Sequence, residues 1–149
     1  MSVDFHPKHP ALLAVGLYDG TVQVFDIRLK SNTPIYASTV RTMKHTDPVW
    51  QVKWNDEPEL SFFSISSDGR VSSWALMKNK LEPEEVMKLK LVLDQDKELV
   101  ENKKESFLYG LAGGMCFDFN PHEGHTNLFL VGTEEGKIHL CSKSYSGQY

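Results

Sequence analysis

His45, Ser66 and Asp68 are the residue types of a nucleophilic triad, in which an imidazole takes the proton of a serine hydroxyl and a carboxylate orients the imidazole. That chemistry also needs an exposed serine, donors for an oxyanion and a substrate cleft, and no stretch around these residues signals any of the three. Acyl transfer is therefore rejected, and a hydrolase is the least favoured class. His122 and His125, in PHEGHTN, place two imidazoles three residues apart, as a zinc chelate does. Zinc takes four ligands, and Cys116 and His139, the nearby candidates, both fall on strands of one unit, so an exposed loop is the better reading. GTEEGK (132–137) has three residues, not four, between its glycines, and Ile138 stands where a phosphate-binding loop carries Ser or Thr for magnesium. It reads as a hairpin turn. No metal and no cofactor are expected, and no residue is assigned a catalytic role.

The elements that must position these residues repeat three times. LLAVGLYDGTVQVFD (12–26), FFSISSDGRVSSWAL (62–76) and LFLVGTEEGKIHLC (128–141) are each an apolar strand, an acidic-Gly pair and a second apolar strand. Asp19-Gly20, Asp68-Gly69 and Glu135-Gly136 are read as two-residue hairpin turns, where glycine takes a positive φ without penalty. Upstream, VDFHP (3–7), VKWND (52–56) and FDFNP (117–121) supply a third strand, and its central aromatic precedes the turn acid by 14, 14 and 16 residues. A repeat of about 40–50 residues built of such hairpins is the mark of β-propeller blades. The first blade is expected to use Val3–Pro7, Leu12–Leu17, Thr21–Ile27 and Ile35–Ser38, and the second Val49–Trp54, Ser61–Ser66, Arg70–Leu76 and an outer strand at Glu85–Leu93. The third is expected to use Met115–Asn120, Leu128–Thr133 and Lys137–Ser142.

HTDPVWQVKW followed by SSDGRVSSW resembles a WD repeat. KHTDPVWQVKW, FFSISSDGRVSSWALMKNKL, VMKLKL and VGTEEGKIHLCSKSYS, in that order, further resemble the intermediate chain of axonemal outer-arm dynein. The WD resemblance implies that His45, Ser66, Asp68 and Trp74 form a hydrogen-bonded structural network rather than a reactive one. Blade one departs from it with Leu17 and Phe25, and blade three keeps Thr133 but has Glu135 and Cys141. The dynein resemblance implies a non-catalytic scaffold that binds a dynein heavy chain beside a second intermediate chain, with light chains held by a segment not found in this sequence. It implies the cytoplasm, then the axoneme of a cilium or flagellum. The rival reading is a WD adaptor in a signalling, ubiquitin-ligase or trafficking complex.

The fold expected is thus all-β, a partial propeller of about three four-stranded blades. Residues 1–43 form the first blade without its leading strand, 44–93 the second, 94–114 a charged insertion and linker, and 115–149 the third. The insertion is placed at DQDKELVENKKE, where the spacing between repeats grows from 49 to 65 residues. Three blades do not close a ring, so the chain is expected to be a piece of a larger protein. Its outer faces, including Val15, Val24, Leu130 and Leu140, are expected to be open and adhesive. At 149 residues, 40% apolar and with a net charge of −4, the sequence lacks the cationic face that nucleic acid requires. No apolar run reaches the 18 or so residues of a membrane helix, and no signal peptide opens the chain. Cys116 and Cys141 are expected to be buried free thiols.

Overall fold

The computed structural model describes residues 1–56, 60–91 and 110–143, without the side chains of Glu85 and Val86. The charged insertion expected at 94–105 lies outside the described residues. β1 (Ser2–Phe5), β2 (Leu12–Gly16), β3 (Val22–Asp26) and β4 (Tyr36–Ala37) form a first antiparallel sheet in chain order. A 3-10 turn at Val40–Thr42 leads to the second sheet, made of β5 (Val49–Trp54), β6 (Ser61–Ser66), β7 (Arg70–Met77) and β8 (Lys80–Lys88). β9 (Gly114–Phe119), β10 (Leu128–Thr133) and β11 (Ile138–Ser142) form the third. Three antiparallel sheets that follow one another along the chain are the arrangement of successive blades in a partial β-propeller.

Strand period decides which residues meet. In β6, SFFSIS, all six residues are buried, because sheet 2 is covered on both faces. Phe62 joins Trp74, Trp54, Val49 and Val52 against Ala14, Val22 and Val24 of sheet 1. Phe63 and Ile65, on the opposite face, join Val71, Met87 and Leu89 against Phe117, Phe129 and Val131 of sheet 3. Each interface is an aromatic-rich core, and none of these sixteen apolar side chains from the middle sheet and its neighbours retains much contact with water.

Several sequence expectations are corrected. The outer strand of the second sheet begins at Lys80, not Glu85, because Lys78-Asn79 closes a tight hairpin that pairs Met77 with Lys80 and Leu76 with Leu81. The strand then carries a bulge opposite Ser73 and Trp74, beside Pro83, which has no N–H to give the ladder. The hairpins are not two-residue turns. Gly20, Gly69 and Gly136 have φ of 84°, 79° and 77°, while no acid before them has a positive φ, and their N–H groups reach the carbonyls of Leu17, Ser66 and Thr133. Each is a three-residue loop, a turn with glycine at its left-handed end. Val24 is fully buried against sheet 2, since Val22 and Val24 share a face with Ala14, whereas Val15 lies on the opposite, open face. Cys116 is exposed, and Cys141 is buried. They sit on β9 and β11, to either side of β10, and both are free.

Candidate functional site

The polar centre of the second sheet is built from the loop before β5, from β6 and β7, and from the turn between them. Lys44 to Pro48 lead into β5, and His45 there is fully buried beneath the β6–β7 hairpin. The Trp74 indole N–H donates to Ser64 Oγ at 2.8 Å, and Ser64 Oγ lies 2.7 Å from His45 Nε2. His45 Nδ1 is 3.0 Å from Asp68 Oδ2. An ionised carboxylate only accepts, so Nδ1 carries a ring proton towards Asp68, and the serine hydroxyl accepts from the indole while it bonds Nε2. Asp68 is also approached by the Thr46 N–H at 3.1 Å, the Arg70 N–H at 2.9 Å and the Arg70 guanidinium at 2.7 Å. Arg70 in turn donates to the Lys44 carbonyl. Burial pushes the Asp68 carboxyl up, but the His45 and Arg70 hydrogen bonds, the His45 charge and the Thr46 amide outweigh it and hold it at about 2.

The serine of this network is Ser64, not Ser66. Both point to one face of β6, two residues apart, but Ser66 ends the strand, where its hydroxyl donates to the Asp47 carbonyl and accepts from the Asp68 N–H. Ser64 sits one pleat deeper, opposite Ser72, where the histidine and the indole both reach it. The register-equivalent positions in the other sheets, counted from the turn glycines, are Val15 and Val131. Leu17 and Thr133 correspond to Ser66, and the Thr133 hydroxyl bonds the Lys137 carbonyl.

Ser64, His45 and Asp68 have the connectivity of a serine-protease triad, yet the chemistry is closed off. Ser64, His45 and Trp74 are all 0% exposed, and the serine oxygen is already engaged by the indole. No substrate carbonyl reaches it. The arrangement locks the loop before β5 to the hairpin between β6 and β7.

A second set of polar contacts joins the sheets, and the sequence did not single it out. Ser2 Oγ and Asp4 Oδ2 accept from the Val52 and Trp54 N–H groups at 3.2 and 2.9 Å, and the Trp54 indole donates to the Asp4 carbonyl. Between sheets 2 and 3, Gln51 spans the Phe117 backbone, accepting from its N–H at 2.8 Å and donating to its carbonyl at 2.9 Å. Lys53 pairs with Asp118. Polar residues at alternate positions of an inner strand were the available signal.

The remaining candidates do not converge. His122 and His125 are exposed in the β9–β10 loop, and among the described residues no three metal-binding side chains come together. Burial raises the Cys141 thiol to about 11, which leaves it unreactive at neutral pH. GTEEGK forms the β10–β11 turn. No helix among the described residues is long and apolar enough to cross a membrane. Across the ends of β1, β5 and β9 runs a groove of about 530 Å³, lined by Asp4, Lys53, Trp54, Asp56, Phe119 and Thr126 among others.

The model of the WD domain, G-beta repeat family matches residues 1–26, within the first sheet. Comparison with curated proteins reaches further. A 78 kDa intermediate chain of the flagellar outer arm dynein from Chlamydomonas reinhardtii is 51% identical over all of this chain and 22% of its own length. From end to end, the chain is similar to axonemal dynein intermediate chains. A ciliary dynein intermediate chain 2 from Heliocidaris crassispina is 47% identical over the whole chain. Dynein axonemal intermediate chain 1 from Rattus norvegicus is 45% identical over the same span. The chain covers about a fifth of the length of these relatives.

Proposed function

We propose that this chain is a non-catalytic propeller segment of an axonemal dynein intermediate chain, working in the outer arm of a cilium or flagellum. The observation that carries the reading is 51% identity along the whole chain to a flagellar outer-arm intermediate chain. The sealed Ser64 supports a structural role for the network. In this reading residues 1–43, 44–93 and 115–149 are three successive blades, 94–114 joins the last two, and ATP hydrolysis belongs to other subunits. The segment contributes to gripping a dynein heavy chain beside a second intermediate chain, and light chains are held elsewhere. The groove across β1, β5 and β9 is the surface we assign to the heavy chain, because residues of all three described sheets line it.

A pull-down with purified heavy-chain tail tests this. The 149-residue chain is expected to retain the tail. Asp56→Lys and Thr126→Arg, at exposed groove positions, are expected to weaken retention at least tenfold. Retention unchanged by both substitutions overturns the groove assignment, and no retention by wild type overturns the heavy-chain reading.

A further inference from the structure

His6 follows the last residue of β1, and its counterparts in the other two sheets are Asn55 and Asn120, which follow the last residues of β5 and β9. The three N–H groups make the same bond across their hairpins, to the carbonyls of Leu12, Ser61 and Leu128. Asn120 also holds the turn that comes next, its Oδ1 accepting the His122 N–H at 3.0 Å. His6 does this with a ring nitrogen: Nδ1 accepts the N–H groups of Lys8 and His9 at 3.0 and 3.1 Å. An amide oxygen accepts across the whole neutral and mildly acid range, whereas an imidazole nitrogen accepts only while it carries no proton.

Those two bonds settle the tautomer. Nδ1 is bare, so the ring proton is on Nε2, which is buried and has no partner among the described residues. The residue is 4% exposed, and its ring packs against those of Trp54 and His9 at centroid distances of 4.7 and 4.8 Å. A second proton can go only to Nδ1, where it meets two N–H groups already pointing at that atom. Burial is the largest of the influences that hold His6 below its ordinary value; the charges of His9 and Lys8 add to it, and those of Asp56 and Asp4 oppose it. The stability that the neutral ring contributes is therefore fully present above about pH 6.5 and is lost as pH falls through the lowered value.

The turn that His6 holds is a wall of the groove. Phe5 and Pro7 line the groove from this side, and Trp54, Asn55 and Asp56 line it from sheet 2. Lys8, whose N–H His6 accepts, joins the two loops, because its Nζ bonds the Asp56 carbonyl at 2.8 Å and the Asp56 carboxylate at 3.1 Å. Loss of the His6 bonds thus frees Pro7 and uncouples the two loops at the rim.

We propose that His6 is a proton-operated clasp on the β1–β2 turn: neutral, it keeps Pro7 and Lys8 in the groove wall, and protonated, it drops both amides, so that the heavy-chain tail held there is released. The clasp stands on the bonds of His6 alone, and only the identity of what is released rests on the heavy-chain reading.

Nitrogen NMR of the 149-residue chain is expected to show His6 with its proton on Nε2 at neutral pH, the signal being recognised by its loss in His6→Asn. Hydrogen exchange at the Lys8 amide, relative to its intrinsic rate, is expected to quicken at least about tenfold as His6 takes up its proton. His6→Asn, which copies Asn120, is expected to keep the Lys8 amide slow throughout, and His6→Ala to leave it fast throughout. A proton on Nδ1 at neutral pH, a ring still neutral at about pH 4, Lys8 exchange that stays slow after His6 protonates, or the same pH dependence in His6→Asn overturns the clasp. Retention of purified heavy-chain tail is expected to fall at least about tenfold over the same titration in the wild type and to hold in His6→Asn. Equal loss in both breaks the link between clasp and groove. Absence of retention at neutral pH overturns the heavy-chain reading, and exchange at Lys8 still decides the clasp.

Discussion

Replacing Ser64 by alanine removes one oxygen and leaves two buried groups without partners. The Trp74 indole N–H loses its acceptor at 2.8 Å, and His45 Nε2 loses its hydrogen-bond partner at 2.7 Å, in a place where both side chains are 0% exposed and water has no access. An orphaned buried polar group costs about 1–3 kcal/mol, so Ser64→Ala is expected to destabilise by roughly 2–5 kcal/mol. The neighbouring substitution Ser66→Ala removes one hydroxyl that bonds the Asp47 carbonyl and the Asp68 N–H at the strand end. Its expected cost is about 1–2 kcal/mol, because the turn backbone lies close to solvent. Urea unfolding followed by tryptophan fluorescence separates the two. With a slope of about 1–3 kcal/mol per molar urea, a 3 kcal/mol loss shifts the midpoint by more than about 1 M at constant slope. If Ser66→Ala costs as much as Ser64→Ala, or Ser64→Ala costs under about 0.5 kcal/mol, the assignment of the network to Ser64 is wrong.

Three further outcomes are expected. The Asp68 carboxyl is depressed from 3.8 to about 2, so its contribution is fully present above about pH 4 and is lost as pH falls through about 2. That contribution is roughly 2 kcal/mol, and acid titration of the wild type against Asp68→Asn should show the loss only in the wild type. Gly20→Ala places a Cβ 2.1 Å from the His45 carbonyl oxygen at a φ of +84°, whereas Gly136→Ala at +77° meets nothing within 4 Å. The second should cost about 1–2 kcal/mol for its left-handed backbone alone, and the first clearly more, by thermal melting. Gln51→Ala unclasps sheet 3, at a cost of about 1–3 kcal/mol, and should speed hydrogen exchange at the Phe117 amide far more than at Val52.

The hairpins and the two-residue alternation were legible because they are local: a strand pair and its glycine are written within fifteen residues. β5, β6 and β10 match their expected limits for this reason. What the sequence did not settle was depth. Ser64 and Ser66 share a face and differ only in how far each lies from the turn, a distinction fixed by where the ring of His45 arrives from a separate loop. The early start of β8 was hidden because Lys78-Asn79 carries no glycine, although Asn suits a tight turn. Val24 was misplaced by reading sheet 1 as apolar throughout, when its register with Ala14 decides its side. Gln51 and Asp4 drew no notice since each acts on the backbone of a strand about fifty or more residues away, which leaves no short-range trace.

The position of the middle sheet has a consequence for how the molecule comes apart. Among the described residues, sheets 1 and 3 each rest on one neighbour, while sheet 2 rests on two, and almost no contact passes between the outer pair. Free energy in such a stack is a sum of nearest-neighbour terms, so cooperativity runs along the row of blades rather than through a shared centre. Fraying begins at either outer sheet and costs one interface, whereas opening β6 costs both. Amides of Phe62 to Ile65 therefore report the global stability of the chain, and those of β1 and β11 report only the strength of a single seam.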